Sequence, residues 1–169
     1  DKANILKSQT YFRELYNGIA DGYPDTARDY AYVDAYTVYQ VSRPDTYDVV
    51  VAENMFGDII SDLASATIGG MGVAPSADVG EKYGVFQPSH GTAPDIAGRG
   101  IANPIGQILS AGMMLTWLGE RNNDEDAKAA AIAIDEAVGR VLTSKTSHTG
   151  DLGGSAKTSD VGDAVASEL

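Results

Sequence analysis

The apolar run Val49-Val50-Val51 gives way to the polar pair Glu53-Asn54 and then to residues 56–67, where Ile59, Ile60 and Leu63 fall at helical spacing. A strand that runs into a polar loop and continues as a helix is the repeating step of open α/β folds. It delivers polar side chains to the rim of a sheet, where such folds place their ligands. The flanking segments follow the same alternation. Residues 5–20 carry Ile5, Leu6, Phe12, Leu15, Tyr16 and Ile19 and stop at Asp21-Gly22-Tyr23-Pro24, which predicts a helix and a turn. Residues 30–33 predict a short strand, 35–42 a helix ended by Arg43-Pro44, 47–51 a buried strand and 56–67 the next helix.

The texture changes after Gly69-Gly70-Met71-Gly72, where the glycines predict a boundary or hinge. Residues 73–79 and 85–86 predict strands, and 89–104 form a loop rich in Gly and Pro. Helices are expected over 104–118 and 124–142. A loop through Thr149-Gly150-Asp151-Leu152-Gly153-Gly154 then leads to a terminal helix capped by Thr158 or Ser159. There is no internal repeat and no low-complexity tract.

Within this frame Asp58 and Asp62 stand out, four residues apart in Gly57-Asp58-Ile59-Ile60-Ser61-Asp62. On a helix their Cβ atoms lie about 5–6 Å apart on one face, within reach of one hard cation. A helix dipole also favours acids in a first turn, so the same pair fits a solvated surface. The strand-loop-helix setting is what makes a metal role plausible. The chain of 169 residues has no cysteine, which excludes disulfides, thiolate zinc and a cysteine nucleophile. With only two histidines, any metal is held mainly by oxygen, favouring magnesium or manganese over zinc.

Twenty-four acidic residues against twelve basic ones give a net charge of −12, which argues against nucleic acid and against an anionic membrane surface as partners. The longest apolar stretch, 105–119, is broken by Gln107, Ser110 and Thr116 and falls short of the roughly 20 residues of a membrane span. No signal peptide opens the chain, which suits a cytoplasmic protein. Its start at Asp1-Lys2, without methionine, predicts a processed, cleaved or truncated product.

The loop from His90 to Pro104 packs glycine, proline and polar side chains ahead of a helix, which lets backbone approach a ligand closely. It is not a Rossmann fingerprint, because Asn103 stands where Gly98-Arg99-Gly100 would need a third glycine. Asp95 can accept both ribose hydroxyls of an adenosine and repel a 2′-phosphate, or it can simply form a turn after Pro94.

Taken together, these segments resemble the carboxy-terminal portion of the β-decarboxylating dehydrogenases that act on 3-isopropylmalate, isocitrate, homoisocitrate and tartrate or D-malate. The resemblance runs through Asp1-Lys2-Ala3-Asn4, Tyr32-Val33-Asp34-Ala35, Glu53-Asn54-Met55-Phe56-Gly57-Asp58-Ile59-Ile60-Ser61-Asp62, the His90 to Pro104 loop and Asp151-Leu152-Gly153-Gly154. It implies an α/β isopropylmalate/isocitrate dehydrogenase-like fold, present in part as the carboxy-terminal part of a two-domain subunit. Residues 1–68 would be the remainder of a dimerising, metal-binding domain and 69–169 the carboxy-terminal part of a cofactor-binding domain.

By that resemblance Lys2 and Asp34 are catalytic, and Asp34, Asp58 and Asp62 hold Mg2+ or Mn2+. Asn4, Asn54, His90, Gly91, Thr92, Ala93, Asp95, Ile96, Asn103 and Asp151 contact the cofactor. NADP-dependent members resemble Lys-Tyr where this chain has Asp95-Ile96, so the cofactor expected is NAD. The implied reaction is oxidation of a small-molecule hydroxy-dicarboxylate by hydride transfer to NAD, followed by metal-assisted loss of CO2. A lysine serves such a reaction as a base only if desolvation or nearby positive charge lowers its pKa, and a neighbouring Asp34 works the other way.

The resemblance further implies a homodimer whose active site is shared, with Lys2 and Asp34 of one subunit facing Asp58 and Asp62 of the other, and with helices 35–42 and 56–67 packing between them. Two departures stand against a simple transfer. Gln87 occupies a position where the family usually has Glu, and the arginines that grip the substrate carboxylates, the catalytic tyrosine and the side chain that selects the substrate's third substituent precede the lysine motif in the family and are not among these 169 residues. The competing readings are a truncated, non-catalytic remnant acting as a dimerisation or interaction module and, more weakly, an acidic domain that binds divalent ions without NAD.

Overall fold

The computed structural model describes residues 1–169 in full and divides into two compact units, Asp1–Thr67 and Ile68–Leu169. The first unit holds three helices: α1 (Lys7–Ala20), α2 (Val33–Ser42) and α3 (Asn54–Thr67). Helix α1 begins two residues later than the periodicity suggests, because Ile5 and Leu6 are taken up by a turn in which both of their amides donate to the Lys2 carbonyl. Helix α2 stops at Arg43 because Pro44 has no N–H to continue the ladder. Pro44–Thr46 instead form one 3-10 turn. The Glu53 carboxylate accepts from Met55 N at 3.3 Å at the start of α3.

Neither strand expected in this unit forms. Residues 30–32 are extended but unladdered, and α2 starts at Val33, so Asp34 lies in a first helical turn. Apart from Tyr32 O, which accepts from Tyr36 N as α2 opens, the backbone here pairs with Asp1, whose nitrogen donates to Ala31 O at 3.0 Å and whose carbonyl accepts from Val33 N at 2.7 Å. That is the bond pattern of a single parallel bridge, too short to count as a strand. Residues 47–51 are also irregular, and the burial expected of them is absent: Val49 is 91% exposed. A strand exists only by pairing, and no other extended segment of this unit runs alongside these valines.

The apolar core here is correspondingly thin, with Phe56 and Ile60 of α3 buried. Helices α2 and α3 are tied by the Gln40 amide, which donates to Ile60 O at 2.8 Å. Tyr36 and Tyr47 meet edge to face at 5.0 Å, and burial pushes the Tyr36 phenol above its ordinary pKa.

The second unit has a better-filled core. Strands β1 (Pro75–Val79) and β2 (Gly84–Pro88) form an antiparallel hairpin with Ala77 opposite Phe86. It is followed by α4 (Ile105–Asn122), α5 (Glu125–Ser144) and α6 (Thr158–Glu168). This hairpin is the only sheet, so the fold is a helix-rich α/β arrangement rather than the strand-helix alternation read from the sequence. Val73, Ile105, Ala137, Val138, Val141, Val161 and Val165 form one buried cluster. Burying each of the larger side chains contributes about 1.5–3 kcal/mol before entropy is counted.

Ser110 is fully buried in α4, where its one hydroxyl proton is shared between Gln87 O and Gly106 O, each 2.8 Å from Oγ. Helix α5 is capped by Asp124, whose Oδ1 accepts from Asp126 N and Ala127 N at 3.1 Å. The cap expected at α6 differs. The Thr158 hydroxyl donates away from the helix to Ala102 O at 2.6 Å, while the Asp160 carboxylate accepts from Lys157 N at 2.9 Å. Thr158 thus pins the end of the Gly-rich loop. No helix is long and apolar enough to cross a membrane.

Candidate functional site

In the first unit the residue pair with the clearest chemistry is Lys2 and Asp34, whose Nζ and Oδ1 lie 2.6 Å apart. Thirty-two positions separate them in sequence, and the turn after Lys2 and the first turn of α2 bring them together. The lysine is largely covered, with 18% of its side chain exposed, while Asp34 presents 67% to solvent. The hydrogen bond from Lys2 holds the Asp34 carboxyl below its ordinary value of 3.8. A depressed carboxylate pKa means that the pair stabilises the fold above the ordinary value and that this contribution is lost as pH falls through the lower folded-state value. At so exposed a carboxylate the effect on stability is small.

Asp58 and Asp62 are exposed on α3, and Asn54 precedes them by one further four-residue step. The three side chains therefore form one polar stripe along the helix. Ser61 and Ser65 donate to the backbone carbonyls of Asp58 and Asp62, not to their carboxylates, which carry no ion pair. Within one chain Asp34 does not join this stripe, and no group of three or more acids or histidines converges. An all-oxygen set of paired carboxylates nevertheless fits a hard divalent cation by its chemistry. Asn4 lies exposed on the turn after Lys2.

In the second unit the Gly-rich loop and the 149–154 loop meet. Asn103 is buried, and its amide donates to Asp151 Oδ2 at 3.0 Å while its oxygen accepts from Ile105 N at 3.0 Å. The other Asp151 oxygen accepts from the hydroxyl of fully buried Thr149 at 2.5 Å. Asn103 and Asp151 are thus one hydrogen-bonded unit at the start of α4. Asn103 keeps one N–H and one lone pair unspent.

Upstream of Asn103 in the same loop lies the exposed run Gly91, Thr92, Ala93, Pro94 and Asp95, with Ile96 half-buried. The His90 ring faces its neighbour's carbonyl, with Nδ1 at 2.8 Å from Gly91 O. Ala93 sits in the left-handed region at φ +43° and ψ +61°, where a Cβ is unfavourable and a following proline makes it more so. Pro94–Ile96 then turn as a 3-10 helix that carries Asp95 outward.

Two features escaped the sequence reading. Gly72 lies in the run read as a hinge, yet what requires glycine there is proximity. A Cβ on Gly72 would fall 2.5 Å from Asp151 Oδ2 and 3.0 Å from Asn103 Cβ. Because both oxygens of that carboxylate are engaged, it has little room to move aside. Gly72→Ala is expected to cost about 1–3 kcal/mol, as overpacking does, and urea unfolding of the intact protein with an unchanged midpoint would count against it. The second missed feature is the cluster around Asp1 and Arg13. Asp1 belongs to the Asp1-Lys2-Ala3-Asn4 motif, but no spacing or composition links it to Arg13 twelve residues on.

The family model for isocitrate/isopropylmalate dehydrogenase matches residues 1–165, and the chain belongs to that family. It is 43% identical over 169 residues to the 3-isopropylmalate/3-methylmalate dehydrogenase of Methanocaldococcus jannaschii, covering 99% of this chain and 48% of that relative. It is 46% identical over 165 residues to the homoisocitrate dehydrogenase of the same organism, covering 97% of this chain and 45% of the relative. Among solved structures, isocitrate dehydrogenase from Methylococcus capsulatus superposes with a TM-score of 0.88 at 40% identity, over 99% of this chain and 48% of that one. The chain thus spans about half the length of the relatives it matches.

Proposed function

We propose that the protein carrying this chain is an NAD- and Mg2+- or Mn2+-dependent β-decarboxylating dehydrogenase, acting on a 2-hydroxy dicarboxylic acid of the 3-isopropylmalate, tartrate or D-malate type. The observation that carries this reading is the 2.6 Å contact between a largely covered Lys2 and the exposed carboxylate of Asp34, a proton-handling group held beside a metal-type carboxylate. As the free amine Lys2 Nζ would take the proton of the substrate hydroxyl and relay it onward, and the ammonium so formed is the species that Asp34 holds. When bound, the divalent ion supplies polarisation of the substrate's hydroxyl and carboxylate oxygens, and NAD supplies the hydride acceptor.

Asn54, Asp58 and Asp62 stand ready on one face of α3, and we assign them to the site of a second copy of the chain. The exposure of Val38 and Val41 on α2 and of Ile59 on α3 in the single chain supports such pairing, since large apolar groups left in water favour a covering partner. The Asn103–Asp151 unit and the loop from His90 to Ile96 would cradle the adenosine, with Asp95 accepting from the ribose.

Asp95→Lys tests the cofactor assignment. In the intact protein it should shift the ratio of kcat/KM for NADP over NAD upward by on the order of tenfold or more, because a carboxylate that repels a 2′-phosphate becomes a cation that attracts it. Asp95 is exposed and engages no partner through its side chain, so folding should be unaffected. An unaltered ratio would remove it from the ribose contact.

A further inference from the structure

We infer that Asp1 and Arg13 are positioning residues that set the place of the Lys2 ammonium, an inference that rests on the proton-transfer role proposed for Lys2. Lys2 and Asp34 lie on separate segments, and two backbone bonds join those segments at Asp1: its nitrogen to Ala31 O at 3.0 Å and Val33 N to its carbonyl at 2.7 Å. These fix how far along each segment the two side chains start. They leave open the direction in which the lysine leaves the backbone.

The Asp1 carboxylate supplies what the backbone does not. Its Oδ1 accepts from Ala3 N at 2.9 Å and from Arg13 Nη2 at 2.9 Å, and its Oδ2 accepts from Arg13 Nε at 2.9 Å. The turn on both sides of Lys2 is therefore locked to α1 through a two-pronged contact. The Asp1 side chain is 9% exposed and that of Arg13 25%, shielding in which such bidentate geometry counts for more than on an open surface.

The same guanidinium lies over two aromatic faces, 4.6 Å from the Tyr30 centroid and 5.4 Å from that of Tyr32. Lys2 Nζ is 5.9 Å from that same Tyr32 centroid. Arg13 thus holds the acid preceding Lys2 and the ring against which Lys2 rests. The Lys2–Asp34 contact lacks such restraint of its own, because Asp34 is mostly in solvent and a lysine is a single charge on a four-carbon stem. Of the bonds that fix the segment around Lys2, both prongs of the side-chain grip on Asp1 come from Arg13.

The test uses the full-length protein with hydroxyacid substrate, NAD and Mn2+, comparing Arg13→Met, Arg13→Lys and Lys2→Met. Arg13→Lys keeps the charge and loses the two-pronged grip, so it decides the matter if Arg13→Met does not fold. The expected result is a fall in kcat of about tenfold for Arg13→Lys and about a hundredfold for Arg13→Met, the scale of a misplacement near 1 Å. KM for NAD stays within twofold of the parent, and a crystal structure of Arg13→Lys shows Lys2 Nζ out of hydrogen-bond reach of Asp34. A purely stabilising role lowers the melting temperature and leaves kcat per folded molecule intact. Parental kcat in both Arg13 variants, with Lys2→Met inactive, overturns the inference. Parental turnover in Lys2→Met instead overturns the reading on which it rests.

Discussion

Replacing Lys2 with methionine is expected to reduce turnover by on the order of 10³-fold, near the middle of the range that general acid–base groups contribute, while leaving NAD binding unchanged. Methionine keeps the reach and the apolar stem and removes the proton-carrying atom. Lys2 is largely covered and its one charged partner is Asp34, so the substitution leaves that carboxylate without its cation but in contact with water. The loss should therefore appear as chemistry and not as unfolding. Steady-state kinetics of the full-length protein with a panel of 3-isopropylmalate, tartrate and D-malate separates the two: kcat should collapse for whichever acid the parent uses, with KM for NAD within a factor of about two, on the logic that a group acting only in the transition state leaves ground-state binding alone. Turnover close to the parent's would remove Lys2 from the proton path.

Asp58→Asn carries the second large effect. The Asp58 carboxylate is exposed on α3 and engaged in no ion pair, so exchanging an oxygen for an amide costs the fold little. A hard divalent ion, by contrast, loses a charged donor. Loss of an outer-shell partner already weakens metal sites by 10–100-fold, so the loss of a direct ligand should weaken Mn2+ binding by on the order of 10²-fold or more. Calorimetric titration with Mn2+ alone reads this without any turnover. Parental affinity would show that the stripe on α3 is only a solvated helix face.

Sequence was most informative where an element is stabilised locally. The helices could be read from apolar spacing and punctuation: Arg43-Pro44 ends α2 and Asp124 opens α5, because a missing N–H and a side-chain cap act within a few residues. The two strands of the second unit were legible as strands, though β1 starts at Pro75 after a 3-10 turn that takes in Val73, and their antiparallel pairing was not. What failed depended on partners distant in sequence. Val49-Val50-Val51 has strand composition, yet pairing requires a second extended segment, and composition carries no information about whether one is present.

The site divides the same way. Asp58 and Asp62 were visible because helical periodicity alone puts them on one face. The pairing of Asn103 with Asp151 across forty-eight positions rests on a close approach at Gly72 that glycine content alone reads as a hinge. Asp1 and Arg13 illustrate the limit most sharply, since a salt bridge between a turn and a helix has no periodic signature.

We propose that each active site is assembled from two copies of the chain, Lys2 and Asp34 from one and Asp58 and Asp62 from the other. Mixing the Lys2→Met and Asp58→Asn proteins under conditions that exchange subunits tests it directly. If the site is shared, a mixed dimer has one site carrying both changes and one carrying neither, so activity should rise from near zero to about a quarter of the parent's at statistical mixing in a twofold-symmetric dimer. A mixture that stays as inactive as its two components, with subunit exchange verified by mass, would contradict the claim.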